Sequence, residues 1–239
     1  MRKFLIPAFA VLALVAVEVA PTNAQDSSQT KLTVTPTVSP NKAGTKKKPQ
    51  GVKLGFKIAL DTPADLDKPV MQSGDVLFPK GSLYNGAKFT KCAEAKLAAS
   101  GPSGCPKESI MGTGGGDAYA DTVITHPKLT IINGGGSDVW IWTVLTNPAR
   151  VQKIVPGKIT KMSGQWAYKL HFEVPTALQI VAGVPIAIKS LNITAGGKAW
   201  AKDWLATTSC PANKKWPFSM TANLDTNTSV TYASTVACK

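Results

Sequence analysis

Residues 165–174 read Gln165-Trp166-Ala167-Tyr168-Lys169-Leu170-His171-Phe172-Glu173-Val174, and every second side chain is large and apolar. A two-residue period is that of a β-strand with one face buried, since successive side chains point to opposite sides of the pleat. Trp166, Tyr168, Leu170, Phe172 and Val174 form the buried face, which turns His171 outward. Val52, Leu54, Phe56, Ile58 and Leu60 repeat the pattern around Lys53, Gly55, Lys57 and Ala59. Leu32 and Val34 begin a weaker partner for that second strand. Further strands are expected over 128–132, 139–145, 186–193, 218–224 and 229–236.

Breakers separate these runs. Asn133-Gly134-Gly135-Gly136, Asn147-Pro148, Val155-Pro156-Gly157 and Ala195-Gly196-Gly197 read as turns, and Gly112-Thr113-Gly114-Gly115-Gly116 as a bend or bulge. One helix is expected over 91–99, with Thr90 as its N-cap and Gly101-Pro102 as its stop. Half-buried strands with clean alternation belong to antiparallel sheets. The expected fold is therefore all-β, an antiparallel β-sandwich, Ig-like in style, with one short helix. It fills residues 25–239 as a single domain, and a sub-boundary, if there is one, falls within 112–127.

Residues 1–24 have the form of an export signal. Met1-Arg2-Lys3 is basic, 4–17 is uncharged and mostly apolar, and Thr22-Asn23-Ala24 offers small residues before a cleavage point. The expected product is secreted, with no membrane span left after signal removal. The chain has 27 basic and 14 acidic side chains, a formal net charge of +13. A basic exported protein meets anionic partners such as acidic polysaccharide or cell-wall polymer. The lysines are scattered, and only Lys46-Lys47-Lys48 forms a run, at the tip of an expected loop.

Four cysteines, Cys92, Cys105, Cys210 and Cys238, make an even count in an exported chain and argue for two disulfides. Three pairings exist, and loop geometry favours the local ones, Cys92–Cys105 and Cys210–Cys238. No C-x₂-C pair suggests a metal site instead. The strings Phe78-Pro79-Lys80-Gly81 and Cys105-Pro106-Lys107-Glu108-Ser109-Ile110-Met111-Gly112-Thr113-Gly114, with the ending Cys210-Pro211 … Tyr232 … Cys238, resemble an uncharacterised family of secreted bacterial β-sandwich proteins. That resemblance implies a secreted β fold with Cys-Pro motifs and two local disulfides, and it carries no functional residues.

No catalytic constellation emerges from the residues. Gly101-Pro102-Ser103-Gly104-Cys105 lacks the closing glycine of a nucleophile elbow, and neither His126 nor His171 has an evident nucleophile beside it. No cofactor, no metal and no nucleic-acid partner is expected, and the oligomeric state stays open. Six tryptophans are the most suggestive feature. Trp140 and Trp142 share one face of a strand whose other face is aliphatic, so both faces are expected to be buried. Trp200 and Trp204 flank Lys202, and Trp216 follows Lys214 and Lys215; aromatic rings beside lysines can stack on sugar rings. The reading is a non-enzymatic binding or cell-envelope-associated protein that engages anionic glycan through Trp200, Trp204, Trp216, Lys202, Lys214 and Lys215. The alternative is an extracellular, glycosidase-like hydrolase whose carboxylates converge only in the fold.

Overall fold

The computed structural model describes residues 29–239, so the expected signal at 1–24 lies outside the described residues. The chain runs through β1 (Lys31–Ser39), β2 (Gln50–Gly51), β3 (Lys53–Asp61), β4 (Met71–Pro79), β5 (Ser82–Tyr84) and helix α1 (Glu94–Ser100). Then follow β6 (Ile110–Ala120), β7 (Val123–Thr125), β8 (Lys128–Gly135), β9 (Asp138–Leu145), β10 (Val151–Lys161) and β11 (Trp166–Glu173). The last third holds α2 (Thr176–Gln179), β12 (Ile180–Val181), β13 (Val184–Gly196), β14 (Leu205–Thr207), β15 (Lys215–Leu224) and β16 (Ser229–Ala237).

All strand pairs are antiparallel. One large sheet has the order β1-β3-β13-β6-β8-β9-β10-β11-β4-β15-β16, and β2-β14-β5 form a second, three-stranded sheet. The large sheet curls until its two outer strands, β1 and β16, run alongside each other. Where they meet, Lys239 N–H donates to the Asn41 carbonyl (2.8 Å) and Ala43 N–H to the Lys239 carbonyl (3.0 Å). The two packed layers are thus parts of one wrapped sheet. Leu32, Val34, Ile58 and Leu60 of β1 and β3 pack across the interior on Val76, Met220 and Leu224 of β4 and β15. Pro36 sits in β1, an outer strand, where a missing N–H costs least.

The strands at 31–39 and 53–61 pair in register, Leu32 opposite Leu60, as their alternation suggested. Three strands departed from the expected pattern. Val155-Pro156-Gly157 lies inside β10 and is not a turn. Pro156 is tolerated because β10 pairs with β11 only from Gly157 onward, so no neighbour needs its donor on that side. The 112–116 glycines form the middle of β6, paired on both sides, with a register shift between Ile110 and Gly112. A Cβ at Gly112 would lie 2.2 Å from the Thr194 carbonyl oxygen and one at Gly116 1.9 Å from that of Ser190, so β13 approaches too closely for any side chain there. β4 was not expected because its first half, Met71-Gln72-Ser73-Gly74-Asp75, shows no alternation.

Every connection leaves the wrapped sheet at one of two ends. The starts of β3, β9 and β15 and the ends of β1, β4, β8, β10, β13 and β16 define one end, and the small sheet lies across it. We call this the capped end and the opposite one the far end. Both disulfides, Cys92–Cys105 and Cys210–Cys238, belong to the capped-end connections, and both are the local pairs. Each closes a short loop and stabilises by about 3 kcal/mol through the unfolded chain. Among the described residues no helix is long and apolar enough to cross a membrane.

Candidate functional site

The capped end is organised around a buried asparagine. Asn133, 0 % exposed, ends the apolar stretch of β8. Its amide donates to the carbonyls of Gly86 (2.9 Å), Thr90 (3.1 Å) and Phe89 (3.2 Å), while its oxygen accepts from Trp204 Nε1 (3.3 Å) and Gly135 N–H (3.4 Å). One side chain therefore ties the 85–92 connection to the β8–β9 turn and to the 197–204 segment. Thr90, expected to cap the helix, instead has its carbonyl engaged by Asn133, and α1 begins at Glu94 with Ala93 at the cap position. Gly101, with φ of 62°, ends the helix as its sequence suggested.

Tyr84 joins this network at longer range, its hydroxyl 3.4 Å from the Asp138 carbonyl and 3.5 Å from Asn133 Oδ1. Burial first, and the Asp138 charge second, push its phenol well above the ordinary value. The hydroxyl is therefore a fixed, neutral donor at any physiological pH. Its ring meets Trp204 edge to face, centroids 5.5 Å apart.

The structure does not bring the three expected tryptophans to one surface. Trp204 is 2 % exposed and packs with Met111, Ile131 and Val139, while Trp216 is 1 % exposed among Val38, Val52, Leu54 and Phe218. Trp216 Nε1–H donates to the Ser209 carbonyl at 3.0 Å. Both rings are core and offer no face for stacking. Trp200 differs: it is half-buried, on the turn closed by its own N–H to the Gly197 carbonyl (3.3 Å). Lys202, Lys214 and Lys215 are exposed. Trp140 and Trp142 lie on the outer face of β9 beneath α1 and the first disulfide, while Val139, Ile141 and Leu145 face the interior. Both faces of that strand are covered, as read from the sequence.

Charge is distributed unevenly between the ends. The capped-end connections 40–52, 80–109, 197–214 and 238–239 carry thirteen lysines against Glu94, Glu108 and Asp203. All thirteen are exposed. The far-end connections 62–70, 121–127, 146–150, 174–183 and 225–228 carry Lys68 and Arg150 against Asp65, Asp67, Asp121 and Asp225. At the capped end, Lys48 of the 40–52 connection and Lys202 line one polar recess, together with Thr45, Gln50 and Asp203. The lysines scattered along the sequence are gathered by topology.

The interior of the sheet is incompletely filled. A cavity of about 190 Å³ runs from Trp204 and Leu205 at the capped end to Leu178 of α2 at the far end, with a wall that is apolar almost throughout. Phe56, Ile141, Leu170, Phe172 and Leu191 point into the fold yet are only half-buried. Left empty, such a volume would cost the fold on the order of 4–5 kcal/mol, at about 24 cal/mol per Å³. Alternation in the sequence identified this inner face but carries no information on how well it is filled.

A cluster of titratable groups lies on the outer face of β11 and β4. His171 Nδ1 is 2.9 Å from Asp75 Oδ1, its Nε2 3.5 Å from Glu173 Oε1, and Lys169 Nζ 3.6 Å from the same Asp75 oxygen. These side chains form a row along the outside of the sheet, opposite the inward Leu170 and Phe172. His126 at the far end pairs with Asp117 at 2.8 Å.

Fold and site together define a disulfide-capped, wrapped antiparallel β protein with one strongly basic end and an apolar interior. Comparison of the chain with protein-family models, curated proteins and solved structures returns no match.

Proposed function

We propose that this is an exported, non-enzymatic binding protein that engages an anionic polymer, an acidic glycan or wall polymer, with its capped end. The observation that carries the reading is the segregation of charge: thirteen lysines against three acids at the capped end, and two cations against four acids at the other. Lysines crowded on one face add their potentials and attract a polyanion from a distance, which dispersed lysines do not. The export half of the reading rests on residues 1–24 and fits the two disulfides, which persist in oxidising compartments. Of the residues first considered for contact, Lys202, Lys214, Lys215 and Trp200 are accessible and Trp204 and Trp216 are withdrawn from the contact set.

The test is retention of the purified, disulfide-intact protein on immobilised heparin and on insoluble wall preparations across a salt series. Exposed charges are screened within about 3 Å at 1 M salt, so retention at low salt that is lost by 1 M fits the proposal. Passage through both matrices at low salt would overturn it.

A further inference from the structure

We propose that the interior of the wrapped sheet is a binding site for a single-chain amphiphile, with an apolar tail of medium length and one compact anionic head of the carboxylate type. The cavity of about 190 Å³ is somewhat larger than the roughly 150 Å³ that suffices for a benzene ring in an apolar protein core. Its long, apolar wall suits a chain better than a disc, and from Trp204 to the middle of the sheet it offers no polar partner. That part takes the tail.

The polar groups gather at the far end. Thr125 is 1 % exposed and its hydroxyl has no hydrogen-bond partner. It stands opposite Ala118, a wall residue, in the β6–β7 register, and directly paired residues project to the same face of a sheet. That hydroxyl lies behind the wall and does not itself open on the cavity. Thr143 lines the same end, and its hydroxyl has only a long contact, 3.5 Å, to the Ile141 carbonyl. Lys153 is paired with Thr143 in the β9–β10 register, an inward position, yet the residue is exposed. A cation at the margin of an apolar cavity selects an anionic head over a neutral one.

The wall has an entrance at the same place. β10 pairs with β11 only through residues 157–161, so 151–156 have no strand on that side. The gap is spanned by the four-residue α2, whose Leu178 closes the cavity. An exposed apolar side chain stands beside it: Ile180, directly after α2, is 52 % exposed. Displacing α2 admits a chain tail first, leaving its head beside Lys153 and Thr143. This site is independent of the basic end, so either proposal can fail without the other.

The experiment uses the full disulfide-intact protein and N-phenyl-1-naphthylamine, an uncharged probe that brightens in apolar surroundings. Saturable one-to-one uptake is expected, with decanoate displacing the probe roughly tenfold better than decanol, the worth of one charge-assisted hydrogen bond. Lys153→Gln, a surface change, removes that preference and leaves decanol unaffected. Ile141→Trp and Leu191→Trp, made singly and together, take up space in the cavity and lower uptake of the probe, the pair roughly tenfold or more, with unfolding temperature maintained or raised. Absence of saturable uptake, or uptake unchanged in folded filling variants, overturns the site. Equal displacement by acid and alcohol, or a preference that survives Lys153→Gln, overturns the assignment of the head. Should both filling variants fail to fold, the Lys153→Gln comparison decides alone.

Discussion

The two ends of this sheet are built on the same strands and use opposite devices. At the capped end three of the connections, 40–52, 80–109 and 197–214, are long; with 238–239 they carry thirteen exposed lysines, and they are held by two disulfides, a second sheet and a buried asparagine. At the far end they are short, carry little net charge and contain no disulfide; a single-turn helix and exposed apolar turns finish the fold. Long loops lose the most entropy on folding, and crowded like charges repel, so both costs fall on the capped end. The covalent and hydrogen-bonded ties are placed where those costs lie. The far end carries neither disulfide, and its longest gap in pairing, along 151–156, is spanned by α2 alone.

The comparison can be broken most sharply at Asn133. Asn133→Ala strands the carbonyls of Gly86, Phe89 and Thr90 and removes the acceptor of Trp204, and should cost about 3–5 kcal/mol of stability, read by denaturant unfolding, with the capped end the first part to lose protection from hydrogen exchange. Opening the second bridge with Cys210→Ser and Cys238→Ser should cost about 3 kcal/mol by the same measure. Asp substitutions at Val123 or Ile180, both exposed at the far end, should stay within about 0.5 kcal/mol of the wild type. A far end as sensitive as the capped one would erase the distinction.

The smallest effect concerns alkaline pH. The Tyr84 phenol is held above its ordinary value in the folded protein, so its contribution to stability is complete below pH about 10, where the unfolded chain titrates, and declines as pH rises toward the higher folded value. Tyr84→Phe should flatten the alkaline arm of the stability profile. An unchanged arm would show that Tyr84 plays no part in it.

Much of this was readable from the chain. The alternation at 52–60 and 166–174 identified strands, with clear in-and-out burial along 53–61 and intermediate burial on both faces along 166–172, and the cysteine spacing suggested the two local bridges. β6 and β10 escaped because glycine and proline normally punctuate. Here Gly112 and Gly116 answer to a close neighbouring strand, and Pro156 to a missing one, and neither neighbour is visible in the local string. Asn133 looked like the opening of a glycine turn, although it follows directly on Ile131-Ile132, a strand context that hints at burial. Trp204 and Trp216 stand beside lysines in sequence but alternate in space: Lys202 and Lys215 point to solvent and the rings point into the core. Charge segregation depends wholly on which end each connection leaves from, so it becomes visible only with the topology.

That segregation is best tested with two variants of equal charge. One replaces Lys46, Lys47 and Lys48 at the capped end with Gln; the other replaces Lys31, Lys128 and Arg150, exposed at or near the far end, with Gln. Both lose the same formal charge, so any non-specific electrostatic retention falls equally. We predict that the first variant elutes from immobilised heparin at clearly lower salt than the second, which should stay close to the wild type. Equal shifts in the two variants would contradict an anionic-polymer site at the capped end.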